Sequence, residues 1–123
     1  MTSKHRSLQT GTTNLPTSNG DRDFELEFNA PNLTTNDNIH GRPYVSYRAN
    51  PKGDVGVRLQ MELNEVEILD QRLSTDTSRN LVEIFDHGIL TNQGNTLRVF
   101  VPDDEPGSIE VSDILVVYTT TAA

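Results

Sequence analysis

The chain has 123 residues, ten Lys and Arg against eighteen Asp and Glu for a formal net charge of −8, and no cysteine. One domain's worth of chain without cysteine excludes disulfides, thiol catalysis, Fe–S clusters and Cys-type zinc sites. The acidic balance disfavours nonspecific nucleic-acid binding, which depends on Lys and Arg neutralising phosphates, and docking on anionic membranes.

Leu, Ile, Val and Phe together number 32, enough to expect a core, but only Leu8 and Leu15 of these fall in the first 23 residues. No apolar run reaches the length of a membrane span. The opening MTSKHRSLQT lacks an apolar stretch, so no secretory signal is read there, and the protein is expected to be soluble with no compartment assigned. Residues 1–23 are Thr, Ser, Asn, Gly and charge, which predicts a flexible polar N-terminal arm that orders, if at all, on a partner. The folded domain is expected over 24–123.

From Phe24 the texture changes. Phe24, Leu26 and Phe28 alternate with Glu25, Glu27 and Asn29, the period of a half-buried strand. A turn-rich stretch, 32–43, follows. PYVSYRAN (43–50) is short, β-branched and aromatic, with Tyr44, Ser46 and Arg48 on one face and Val45 and Tyr47 on the other. In GVRLQMELN, Val57, Leu59, Met61 and Leu63 alternate strictly with Arg58, Gln60, Glu62 and Asn64, an antiparallel strand with one wet face. A tight turn at Asn64-Glu65 leads into EVEILDQRL. NLVEIFDHGIL (80–90) fits either a short helix or a strand over 80–85; its Val, Ile and Phe and the breaker Gly88 favour the strand. TLRVFV (96–101) puts Leu97, Val99 and Val101 inward and leaves Phe100 on the other face. GSIEVSDILVVYTTT closes the domain as a final strand. Short strands joined by polar turns, with no amphipathic helix of three turns, predict an all-β antiparallel sandwich.

The order of phrases VRLQMELNEVEI, NLVEIFDHGILTNQGNTLRVFV and GSIEVSDILVVY, over 57–118, resembles the second half of a galactose-binding-like jelly roll, the fold of many carbohydrate-binding modules. The resemblance implies a β-sandwich jelly roll and a lectin-like or carbohydrate-binding role. Glu65 stands where that family usually has Gly, which leaves the geometry of the hairpin turn open, and the chain has no Trp to stack on a sugar. Gly94 is expected to supply the positive φ of a turn, with the Asn95 side chain bonding back to its own loop.

Asp113 falls in the inward register set by Ile109 and Val111. A lone buried carboxylate is costly, so Asp113 must be paired, metal-bound, or expelled by a bulge that shifts the inward phase to Ile114, Val116 and Tyr118. The metal alternative comes with the resemblance. Several carbohydrate-binding jelly rolls hold a structural calcium between a Glu near the first strand and an Asp on the last, places similar to those of Glu27 (or Glu25) and Asp113. Calcium is therefore an optional ligand, with no other cofactor implied. The acids of Asp86-His87-Gly88 and Asp103-Asp104-Glu105 lack the spacing of a calcium loop.

The segment 40–48 gathers His40, Arg42, Tyr44 and Arg48, a flat ring and forked donors of the kind that recognise a carbohydrate or another small polar ligand. No hydrolase, zincin, P-loop or dinucleotide motif is present, and His5, His40 and His87 have no metal-ligand spacing. Two functional readings follow. The first is a non-catalytic binding module whose ligand meets His40, Arg42, Tyr44 and Arg48. The second is a structural or assembly subunit (of a virion, tail or surface layer) that makes homo-oligomers when residues 1–23 order on a neighbour.

Overall fold

Val57, Leu59, Met61 and Leu63 are all fully buried, while Arg58 between them is exposed, as their alternation requires. The same rule repeats along the chain. The computed structural model describes residues 2–33, 42–74 and 78–120. It contains β1 (Thr2–Leu15), β2 (Asp23–Phe28), β3 (Tyr44–Lys52), β4 (Val57–Leu63), β5 (Val66–Leu73), β6 (Arg79–Ile84), β7 (Asn95–Phe100) and β8 (Ser108–Thr120), with one 3₁₀ turn at His87–Ile89. Among the described residues there is no α-helix.

The strands form two four-stranded sheets, a front sheet in the order β1-β8-β3-β6 and a back sheet in the order β2-β7-β4-β5. Every neighbouring pair is antiparallel. The core lies between the sheets. Val45, Tyr47, Ala49, Ile109 and Val111 line it from the front, and Leu59, Met61, Leu63, Leu97 and Val99 from the back. Removing these side chains from water contributes roughly 1.5–3 kcal/mol for each large one.

Three local features depart from the simplest reading of the sequence. The expected arm is not separate from the domain: residues 2–15 are β1, paired with β8 from Thr2↔Thr120 to Leu15↔Ile109. Its polarity has a physical cause. An edge strand has a ladder partner on one side only, and here it commits just Leu15 fully to the core, with Leu8 packed partly against it. β3 runs through Pro51 to Lys52 because pairing with β6 stops at Ala49, so the missing N–H of Pro51 removes no bond there.

The third feature is in β8. Asp113 has φ 53° and is exposed, at a register shift against both β1 and β3. Before it Ile109 and Val111 point inward; after it Ile114, Val116 and Tyr118 do, each at most 2% exposed. The bulge is thus the device that keeps the carboxylate in water while both halves of the strand feed one core.

The β4–β5 hairpin turn has φ 51° at Asn64 and 70° at Glu65, the two positive values of a type I′ turn. Glu65 keeps that geometry in place of glycine, and its Cβ carries the steric cost. Glu65→Gly is expected to raise stability by about 0.5–1 kcal/mol, which chemical denaturation would measure as a higher midpoint at unchanged slope.

Candidate ligand-binding site

The outward side chains of the back sheet form cross-strand rows. Asp70, Gln60, Phe100 and Asp23 make one row, and Glu67, Glu62, Arg98 and Glu25 the next. Arg98 is the centre of this face. Its Nε donates to Asp23 Oδ2 at 3.0 Å, its Nη1 stands 3.5 Å from Glu62 Oε1, and its guanidinium lies 4.0 Å above the centroid of the Phe100 ring. The hydrogen bond to Asp23 is the main reason its pKa is raised. The arrangement fixes a flat cation on an aromatic ring, with carboxylates on both flanks.

Two hollows meet at Arg98. One, of about 500 Å³, is lined by Glu25, Glu62, Asn64, Glu65, Thr96 and Arg98, among others. The second, of about 600 Å³, continues past Phe100 toward Asp21, Asp23 and Asp103. Together they make a trough along β7 from Thr96 to Phe100, roughly 14 Å at the rise of an antiparallel strand. Its lining supplies carboxylate acceptors, amide and hydroxyl groups, a forked donor and one aromatic ring.

The rim of the trough is held by a buried amide. Asn95 is fully buried, and its Oδ1 accepts from the Thr91 backbone N–H at 2.8 Å and from Asn64 Nδ2 at 2.9 Å. Its Nδ2 donates to the Thr91 carbonyl at 2.7 Å and to the Phe28 carbonyl at 3.3 Å. Asn64 completes the link by accepting from the Thr96 N–H at 2.8 Å and donating to the Ile89 carbonyl at 2.7 Å. Gly94, at φ 72°, makes the turn that lets Asn95 fold back, as its sequence context predicts. At the far end Arg72 forks onto Glu105, 3.0 and 3.1 Å, with Glu105 only 4% exposed. Arg22 Nη1 donates to the Pro102 carbonyl at 2.7 Å, so the 102–107 loop is clamped from β5 and from the residue that precedes β2. Arg58 forks onto Asp70, 2.7 Å for each bond, and holds that carboxyl below its ordinary pKa.

No protein-family model matches the chain, and no curated protein matches it by sequence. Solved structures do match in shape. The CBM36-1 domain of a multidomain xylanase from the hindgut metagenome of Trinervitermes trinervoides superposes with a TM-score of 0.57 at 10% identity, covering 98% of this chain and 100% of that one. The dimeric latent PorU of Porphyromonas gingivalis gives 0.60 at 12% identity, over 96% of this chain and 11% of that one. The C-terminal CBM6 of LamC, a marine laminarinase of Zobellia galactanivorans, gives 0.50 at 9% identity over 96% and 100%. The fold is the β-sandwich jelly roll that these modules share.

Within this jelly roll the residues expected from the sequence are distributed as follows. His40 lies outside the described residues. Arg42 is exposed and stands 3.7 Å from Asp86. Tyr44 and Arg48 share the outer face of the front sheet, as the alternation predicts, but belong to different rows: Tyr44 lies between Ile84 and Val117, and Arg48 between Asn80 and Ser112. Tyr47 is core, with its hydroxyl donating to Glu83 at 2.8 Å.

The two carboxylates expected from the resemblance to hold calcium stand on different sheets. Glu27 projects from β2 on the outer face of the back sheet, opposite Thr96, and Asp113 from the bulge on the front sheet. Both carboxylates are exposed and stand on different sheets, so the described pairings do not bring the two together. Among the described residues no group of three or more His, Asp or Glu is placed to hold a metal. Glu105, in the acidic cluster, is already committed to Arg72.

The trough itself was missed from the sequence because its residues come from three strands. The one available signal was Phe100, an aromatic on the polar side of an alternating strand. Asn95→Ala is expected to cost about 2–4 kcal/mol, since it leaves several partners buried without a bond. Thermal unfolding would register this as a loss of several degrees or more, whereas a shift of one or two degrees would show that Asn95 does not hold the rim.

Proposed function

We propose that the protein is a non-catalytic carbohydrate-binding module, and that the trough over Arg98 and Phe100 holds the ligand. The observation that carries the reading is the convergence of Glu25, Glu62, Asn64, Thr96 and Arg98 on one open hollow beside a ring fixed by a cation. Sugar hydroxyls are both donors and acceptors. They match carboxylates and a guanidinium, while the apolar face of a pyranose matches an aromatic ring. The trough is open along its length, which suits a chain of sugars better than a single enclosed one.

Carboxylates outnumber cations on this face, with Glu25, Glu62, Glu65, Glu67, Asp23 and Asp70 against Arg58, Arg72 and Arg98. A polyanionic glycan would therefore be repelled, and a neutral polysaccharide is the expected class. The fold is shared with modules of a xylanase and of a laminarinase, which makes xylan and laminarin the first probes. Calcium is not required by this trough.

Affinity electrophoresis through gels containing xylan, laminarin or polygalacturonate tests the proposal. A neutral polymer should retard the protein equally with EDTA or calcium, and polygalacturonate should not. Glu62→Gln and Arg98→Ala should each weaken retardation by about tenfold or more, the cost of losing a charge-assisted hydrogen bond. Arg42→Ala and Tyr44→Ala should leave it unchanged. Failure of every neutral glycan to retard the protein would overturn the carbohydrate reading; retardation lost only in Arg42→Ala and Tyr44→Ala would move the ligand to the front sheet.

A further inference from the structure

The outer face of the front sheet does not obey the polar-outside rule that the back sheet follows. One row across β6, β3, β8 and β1 holds Ile84, Tyr44, Val117 and His5, and the next holds Val82, Ser46, Leu115 and Ser7. Ile84 is 65% exposed and Val82 53% exposed, while Tyr44, Leu115 and Val117 are half-buried. Five apolar or aromatic side chains thus form one contiguous patch over three strands. The run Ile114-Leu115-Val116-Val117 is apolar on both faces, the pattern of a strand covered on both sides. Here the inward members, Ile114 and Val116, are fully buried and the outward ones, Leu115 and Val117, only half so.

The patch has a charged border. In the next row Arg48 on β3 is exposed, and Asp113 on the neighbouring β8 is held out by its bulge. Neither has an ion partner among the described residues. From these features we propose that the front sheet is the interface of a reversible two-fold dimer of this chain.

The placement follows from the strand order. A two-fold axis parallel to the strands, midway between β8 and β3, lays β3 of one copy over β8 of the other and β6 over β1. Tyr44 then meets Val117 of the second copy, and Ser46 meets Leu115. Arg48 faces Asp113, and the same contact recurs by symmetry. Sheets packed this way stay within about 30° of parallel, the usual arrangement of a sandwich. Arg48 and Asp113, neither with an ion partner among the described residues, become complementary across the contact when a second copy is turned about this axis. Other occupants would have to supply both charges in the same spacing.

Area sets the strength. Four strands about 4.8 Å apart, over four outward rows about 6.8 Å apart, project roughly 500 Å². That is below the ~800 Å² per partner of a standard stable interface, so dissociation at micromolar or higher concentration is expected. The dimer leaves the back-sheet trough open, and it does not depend on the carbohydrate reading.

Sedimentation velocity of the full chain from about 1 μM to 1 mM tests the proposal, with circular dichroism to confirm that each variant is folded. The wild type should shift from monomer to dimer across this range. Arg48→Glu and Asp113→Lys should each weaken dimerisation by about tenfold or more, and the double variant should recover most of the loss, because the reversed pair still attracts. Ile84→Lys should abolish the dimer without unfolding the protein. A wild-type chain that stays monomeric at 1 mM would overturn the proposal. So would a dimer indifferent to Ile84→Lys and to both charge reversals, which would place the contact on another face.

Discussion

The fold depends on how β8 changes phase. This strand sits between β1 and β3, so both of its edges are hydrogen-bonded and it cannot rotate to correct a mismatch. Ile109 and Val111 are in register with the core, and so are Ile114, Val116 and Tyr118, but the two sets are one residue out of step. Uninterrupted alternation would bury Asp113, Leu115 and Val117 instead and expose Tyr118. A single residue at φ 53° resolves the conflict, because Asp tolerates the left-handed region better than most side chains and prefers water to the core. The bulge also puts Leu115 and Val117 outside, which creates the apolar front face. Core formation and the proposed dimer surface therefore have one origin.

The two outer faces have opposite characters, and the difference follows from the strands that make them. In the back sheet β2, β4 and β7 alternate cleanly, so its outer face is a field of charged and polar groups organised around Arg98. The front sheet carries β8, whose aliphatic run cannot be hidden on one side. A trough suited to hydroxyl-rich ligands and a face suited to self-association thus lie on opposite sides of one sandwich, and occupation of either leaves the other free.

Much of this was legible in the sequence where a local pattern sufficed. Strict alternation located β4 and β7, placed Tyr47 in the core and Tyr44 outside, and flagged Asp113 as a residue that must pair, bind metal or bulge. The Gly94-Asn95 turn was legible because its chemistry is confined to one loop. What escaped was whatever depends on partners distant in the chain. β1 reads as disordered because an edge strand needs few apolar residues once β8 supplies its ladder. The trough joins Glu25, Glu62 and Arg98 through pairings that no spacing reveals. The Glu27–Asp113 calcium pair rests on order along the chain alone, and the structure sets the two residues on different sheets.

The phase change in β8 can be measured directly, since the chain has no cysteine of its own. Single cysteines placed at 109, 111, 113, 114, 115, 116, 117 and 118 and labelled with a thiol reagent, at a dilution where the protein is monomeric, report which side chains reach water. Fast labelling at 113, 115 and 117 with protection at 109, 111, 114, 116 and 118 is the predicted pattern. Protection at 115 and 117 with fast labelling at 114, 116 and 118 would mean that β8 runs without the bulge, and the account would fail.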